Sequence, residues 1–202
     1  ASAKVKNLTI NNATISGQYK TAGVLAGTVA GTVDKVIIKN SNITNNAADG
    51  KTGSIAGSMG ATQIAMSYAD NVILNIGDGS TPVTNAIVGG LVADVSEGTI
   101  QACYTNNVEI KSAGAQSVGG FVGRFTIGTD TGSIQQSYAN TTSTDANFGA
   151  FIGTISTATG FAKNTANVLG YLIGNIAVVY GKSQAGIVDT DLVKSFDKTF
   201  FK

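Results

Sequence analysis

Apolar and polar residues alternate in short runs along most of the chain: Leu8 and Ile10, Val36 and Ile38, Ile100, Ala102 and Tyr104, Val108 and Ile110. A period of two, carried by Val, Ile and Thr and broken by Gly, Asn and Asp, predicts short half-buried strands. No window of about 12 residues before the carboxyl tail shows a helical stripe.

The runs recur. The blocks "AGVLAG", "TGSIAG", "VGGLVA", "VGGFVG" and "FGAFIG" anchor on Gly23, Gly53, Gly89, Gly119 and Gly149, at intervals of 30, 36, 30 and 30 residues. The long interval absorbs "NIGDGSTPVTN" (75–85), which reads as a protruding loop. A short loop and a second alternating run follow each block, as in "TIQACYTNNVEI" and "SIQQSYANTTST". At the amino end "VKNLTINNATIS" matches "VDKVIIKNSNIT", so a partial unit precedes Gly23.

One such unit cannot bury its apolar face, but stacked units can. The expected fold is all-β: a parallel β-helix, or β-solenoid, of about six coils with a roughly 30-residue repeat and about three strands per coil. It would span residues 1–178, with a short C-terminal capping segment at 179–202. There Leu192, Phe196 and Phe200 stand four apart and predict a small amphipathic helix. Stacking makes an internal ladder of Leu25, Ile55, Leu91, Phe121 and Phe151, and another of Ile64, Ile100 and Ile134. Tyr68, Tyr104 and Tyr138 stack beside it, in a regular place that favours packing over a sugar-binding face. The paired glycines are expected where a turn needs glycine's conformational freedom and two backbones come close.

Composition narrows the function. Charged residues are 12% and the formal net charge is +1, so there is no electrostatic footprint for nucleic acid. The chain has 26 glycines but one proline, which excludes a Pro/Gly-rich linker. Histidine is absent, removing the commonest general base and transition-metal ligand. The single cysteine, Cys103, can form neither an intrachain disulfide nor a Cys-based zinc site. It repeats a position held by Ser67 and Ser137, which suits a small buried filler. No apolar stretch is long enough to span a membrane, and no signal peptide is visible.

"VGGLVA…GTIQACYTNN" and "VGGFVG…GSIQQSYAN" resemble the GLUG repeat, whose pattern is roughly G-G-L-V-G, a loop, G-x-I, then N-[CS]-Y-A. The resemblance runs from residue 5 to about 175, and the tail is similar to segments that close such arrays. It implies a β-rich stalk or adhesive module of the large secreted or surface-attached bacterial proteins that carry these repeats. IgA-cleaving metalloproteases are among them, but their chemistry does not transfer, because H-E-x-x-H needs histidine. Where the pattern has Asn before the Cys/Ser-Tyr pair, this chain has Met66, Ala102 and Gln136.

β-Helices also carry polysaccharide lyases and hydrolases, which need paired carboxylates. Asp34, Asp49, Asp70, Asp78, Asp130 and Asp145 read as turn residues. Asp94 and Glu97 share one loop; Asp94 follows Gly89 by five and Arg124 follows Gly119 by five, on neighbouring coils. One reading is an arginine-assisted site of Asp94, Glu97 and Arg124. The other is a surface ion pair worth about 0–1 kcal/mol.

The expectation is a non-catalytic adhesive or structural module, secreted or at the bacterial cell surface, with its signal segment not in this chain. No cofactor or metal is expected. Partners would be a host or surface glycan or protein, or other domains of the same protein, met through loops 75–85 and 124–132; end-to-end self-association is a further option. The alternatives are a carbohydrate-active enzyme and a self-assembling filament subunit.

Overall fold

The computed structural model describes residues 3–77, 83–112, 114–127 and 132–157, with the strands Leu172–Ile173 and Ile176–Ala177. The described residues form a parallel β-solenoid of three sheets and no helix. The first turn comprises β1 (Lys4–Asn11), β2 (Thr14–Gly17), β3 (Thr21–Ala22) and β4 (Ala26–Val29), and β5 (Thr32–Asn45) opens the second. Sheet 1 contains β1, β2, β5 and their successors, eleven strands in six layers. Sheets 2 and 3, begun by β3 and β4, have five strands each. The array is thus five turns with a sixth layer on sheet 1, against an expected six coils. The proposed cap at 179–202, with Leu192, Phe196 and Phe200, lies outside the described residues.

The register is the one the repeat predicts. Val88 lies between Thr52 and Val118, and Ile100 between Ile64 and Ile134. The turn between sheets 2 and 3 is itself hydrogen-bonded from coil to coil. The amide of Leu25 donates to Ile55, that of Ile55 to Leu91, that of Leu91 to Phe121 and that of Phe121 to Phe151, at 2.8–3.2 Å. Ile55, Leu91, Phe121, Ile64, Ile100 and Ile134 are fully buried, and the Phe121 and Phe151 rings stack at 4.9 Å. The ladders are the core.

Gly89 and Gly119 serve close approach, not a special turn. Their φ angles are not in the left-handed region, which among described glycines holds only Gly77, Gly98 and Gly114. A β-carbon on Gly89 would collide with the Val92 carbonyl and stand 2.7 Å from the Gly123 nitrogen. Gly119 repeats this against Val122 and Gly153. The missing side chain lets sheets 2 and 3 press together.

Sheet 1 bends at two rows of non-glycine residues with left-handed backbone. One row is Asn7, Lys35, Met66, Ala102 and Gln136 (φ 47–55°); the other is Asn12, Asn40, Asn71 and Asn107 (φ 48–58°). Asparagine tolerates this conformation because its short amide bonds locally. The bend interrupts the strand ladder, and the following residue repairs it. Ser67 donates to Ala65 O (2.7 Å) and accepts from the Val36 amide (3.0 Å). Cys103 donates to Gln101 O (3.2 Å) and accepts from Ser67 N (3.4 Å). Ser137 does the same between Gln135 O (2.9 Å) and Cys103 N (3.4 Å). Cys103 is therefore a buried filler that also bonds, and burial pushes its thiol up to about 12, so it stays protonated.

Two stability predictions follow from the bend. Met66 is 49% exposed, so Met66→Asn relieves backbone strain without touching the core and should raise unfolding free energy by about 0.5–1 kcal/mol in urea titrations. Cys103→Ser should stay within about 1 kcal/mol of the parent, whereas Cys103→Val strands a buried amide and should cost about 1–3 kcal/mol.

Candidate functional site

Asp94 lies in the sheet 3 strand Val92–Val95 and Arg124 in the next turn's strand Val122–Ile127, directly paired in register. Arg124 Nε donates to Asp94 Oδ1 and Nη2 to Oδ2, both at 2.8 Å. Lys51, from the sheet 2 strand of the turn before, donates to Oδ2 at 2.6 Å. The carboxylate is 7% exposed, the two cations 31% and 34%. The cluster spans three consecutive turns. It is a shielded, bidentate arrangement with two cations on one carboxylate, not the simple surface pair.

Burial alone would raise the Asp94 carboxyl, but the hydrogen bonds from Arg124 and then Lys51, with their charges, hold it below the usual carboxylate range. Its partnership with Asp94 raises the Arg124 guanidinium in turn. With both oxygens occupied and its basicity lowered, Asp94 is a poor proton acceptor. The chemistry this geometry supports is bracing: one anion ties strands of two sheets across three turns.

Glu97 does not join it. It is exposed, beyond the end of the strand, and forms no ion pair with Arg124 or Lys51. Asp94 itself is in a strand, not a loop. So are residues 124–127 of the expected 124–132 loop, and Asn75 and Ile76 of the 75–85 loop. Residues 78–82 and 128–131, with Asp78 and Asp130, lie outside the described residues. Asp34 and Asp70 stand in strands, while Asp49 is in a turn and Asp145 precedes one. Among the described residues no group of three or more His, Cys, Asp or Glu is placed to hold a metal.

The tyrosine row faces outward, half-buried. Tyr68 and Tyr104 stack at 4.3 Å and 10°, and Tyr138 follows in register. Lys39, from the turn before, places its Nζ 5.6 Å from the Tyr68 ring centre. A sugar platform needs a ring face open to solvent, and Tyr68 and Tyr104 cover one face of each other. Burial raises the Tyr104 hydroxyl, with Tyr68 and Asp70 adding to it, and burial raises that of Tyr138.

Amide ladders run beside the tyrosines. Asn71 donates to Asn40 (2.7 Å) and Asn40 to Asn11 (2.9 Å); Asn140 donates to Asn106 (3.1 Å) and Asn106 to Asp70 (2.9 Å). Sequence reasoning missed these rows and missed Lys51. The signal for Lys51 is diagonal: it stands two residues before Gly53, and its partner is one turn further on in a different sheet.

Comparisons with protein-family models, with curated proteins and with solved structures found no match.

The ion cluster carries a pH prediction. A carboxyl with a depressed folded value contributes stability above its unfolded value, near 4, and loses it as pH falls through the folded value. Asp94→Asn should therefore cost about 1–3 kcal/mol at pH 7. The deficit should shrink as pH drops below about 4, which parallel denaturant titrations of both proteins at several pH values would register.

Proposed function

We propose that this chain is a non-catalytic structural or adhesive module of a bacterial secreted or cell-surface protein, built from GLUG-like repeats. The observation that carries the reading is the use of the polar groups. The conspicuous acid–base cluster and the aromatic row, which an enzyme or a sugar platform would need exposed, are spent on each other between turns. Asp94 is bound by Lys51 and Arg124, and Tyr68 and Tyr104 stack on each other. Such a rod holds loops at fixed spacing along its length, about 4.8 Å per turn, and presents them to a glycan, a protein or another domain of the same surface protein.

The test pairs binding with activity. The purified chain should retain ligands on glycan and matrix-protein arrays, and Asp94→Asn should bind them equally well at a temperature where both proteins are folded. Release of unsaturated uronides or reducing ends from a polysaccharide panel, lost in Asp94→Asn and Glu97→Gln, would replace the adhesive reading with the enzymatic one.

A further inference from the structure

Tyr68, Tyr104 and Tyr138 occupy one outward position of sheet 1 on the third, fourth and fifth turns. The same position holds Ile37 on the turn before them and Ile176 on the layer after them. An aliphatic side chain therefore satisfies the packing there, and successive phenols bring chemistry beyond it.

The Tyr68 and Tyr104 rings lie 4.3 Å apart and within 10° of parallel. Their strands, Tyr68–Ile76 and Tyr104–Lys111, run parallel and in register, so both side chains leave the sheet in the same direction. The two side chains also hydrogen-bond, which sets the hydroxyl ends of the rings side by side. The ring carbons ortho to one hydroxyl thus face their counterparts across the stack. Lys39 lies 5.6 Å from the centre of Tyr68, on the side of the turn before, so the ring that Tyr68 meets is Tyr104. Both tyrosines are half-buried and stay reachable from solvent.

We propose that Tyr68 and Tyr104 form an oxidative coupling site, where a haem peroxidase with hydrogen peroxide joins two turns as a dityrosine. Each phenol gives up one electron and one proton and becomes a phenoxyl radical. The two radicals join by a carbon–carbon bond between ortho positions, and each ortho hydrogen then moves to its own ring's oxygen. Two hydrogens leave in all, and one hydrogen peroxide takes them up to become two waters. Fixed stacking replaces a diffusive encounter of radicals with one inside the chain. The bond ties the third turn to the fourth and constrains the unfolded chain, as any such cross-link does. The site is independent of whether the rod is adhesive.

The test treats the full chain with a haem peroxidase and limiting hydrogen peroxide, and reads dityrosine fluorescence and mass. Cleavage after lysine, arginine and glutamate puts Tyr68 in residues 52–97, Tyr104 in 98–109 and Tyr138 in 125–163. The expected product is a monomer in which 52–97 is joined to 98–109, at their summed mass less two hydrogens. Its yield should not change on dilution, and the coupled chain should unfold at a higher urea concentration than the untreated one. Tyr104→Phe keeps a ring in the stack and should lower the monomeric dityrosine yield about tenfold or more. Tyr68→Phe should remove the linkage of 52–97, and Tyr19→Phe, altered at a 40% exposed ring, should leave it intact. Thermal melting checks that each variant is folded. Dityrosine that joins separate chains, a different linkage in excess of this one, or no dityrosine in the folded chain overturns the proposal.

Discussion

In-register parallel stacking is the constraint from which the rest follows. Each residue lies about 4.8 Å from its counterpart in the turn above and the turn below, so its chief neighbours are residues like itself. An isoleucine over an isoleucine extends a core. An asparagine over an asparagine forms an amide ladder, as Asn71, Asn40 and Asn11 do. Identical charges would repel at this spacing, and Lys6 with Asp34 and Asp94 with Arg124 set opposite charges one turn apart.

A closed coil also has to turn corners, and two devices achieve this. Where sheets 2 and 3 meet, the loss of a side chain at Gly89 and Gly119 brings backbones together. Where sheet 1 bends, a left-handed residue redirects the chain, and Ser67, Cys103 or Ser137 bridges the gap it leaves between turns. Gln135, Gln136 and Ser137 need the bend no less than Gln101, Ala102 and Cys103 do. The second bend is dispensable: the register skips Asn107, and Asn140 pairs with Asn106 instead.

The repeat made the fold legible because every turn states it again: the glycine anchors, the Leu91–Phe121 row and the Ile64–Ile100–Ile134 row were all readable from spacing. The pairing of Asp94 with Arg124 was readable for the same reason, since both follow their anchor by five residues. Lys51 was not, because it reaches Asp94 from another sheet and another turn, and no linear period encodes that diagonal. Glu97 stands apart for the opposite reason: close to Asp94 in sequence, it lies past the strand end in an exposed bend. The left-handed conformation of Met66 was hidden because a strained backbone leaves no mark in a residue type that does not favour it.

The Lys51–Asp94–Arg124 cluster has a mechanical consequence. A solenoid yields by peeling, one turn after another from an end, since each turn is held mainly by its neighbours. Peeling then meets the second, third and fourth turns, which are joined by one shared carboxylate as well as by their backbones. Under tension the rod has a braced middle, and those three turns let go together.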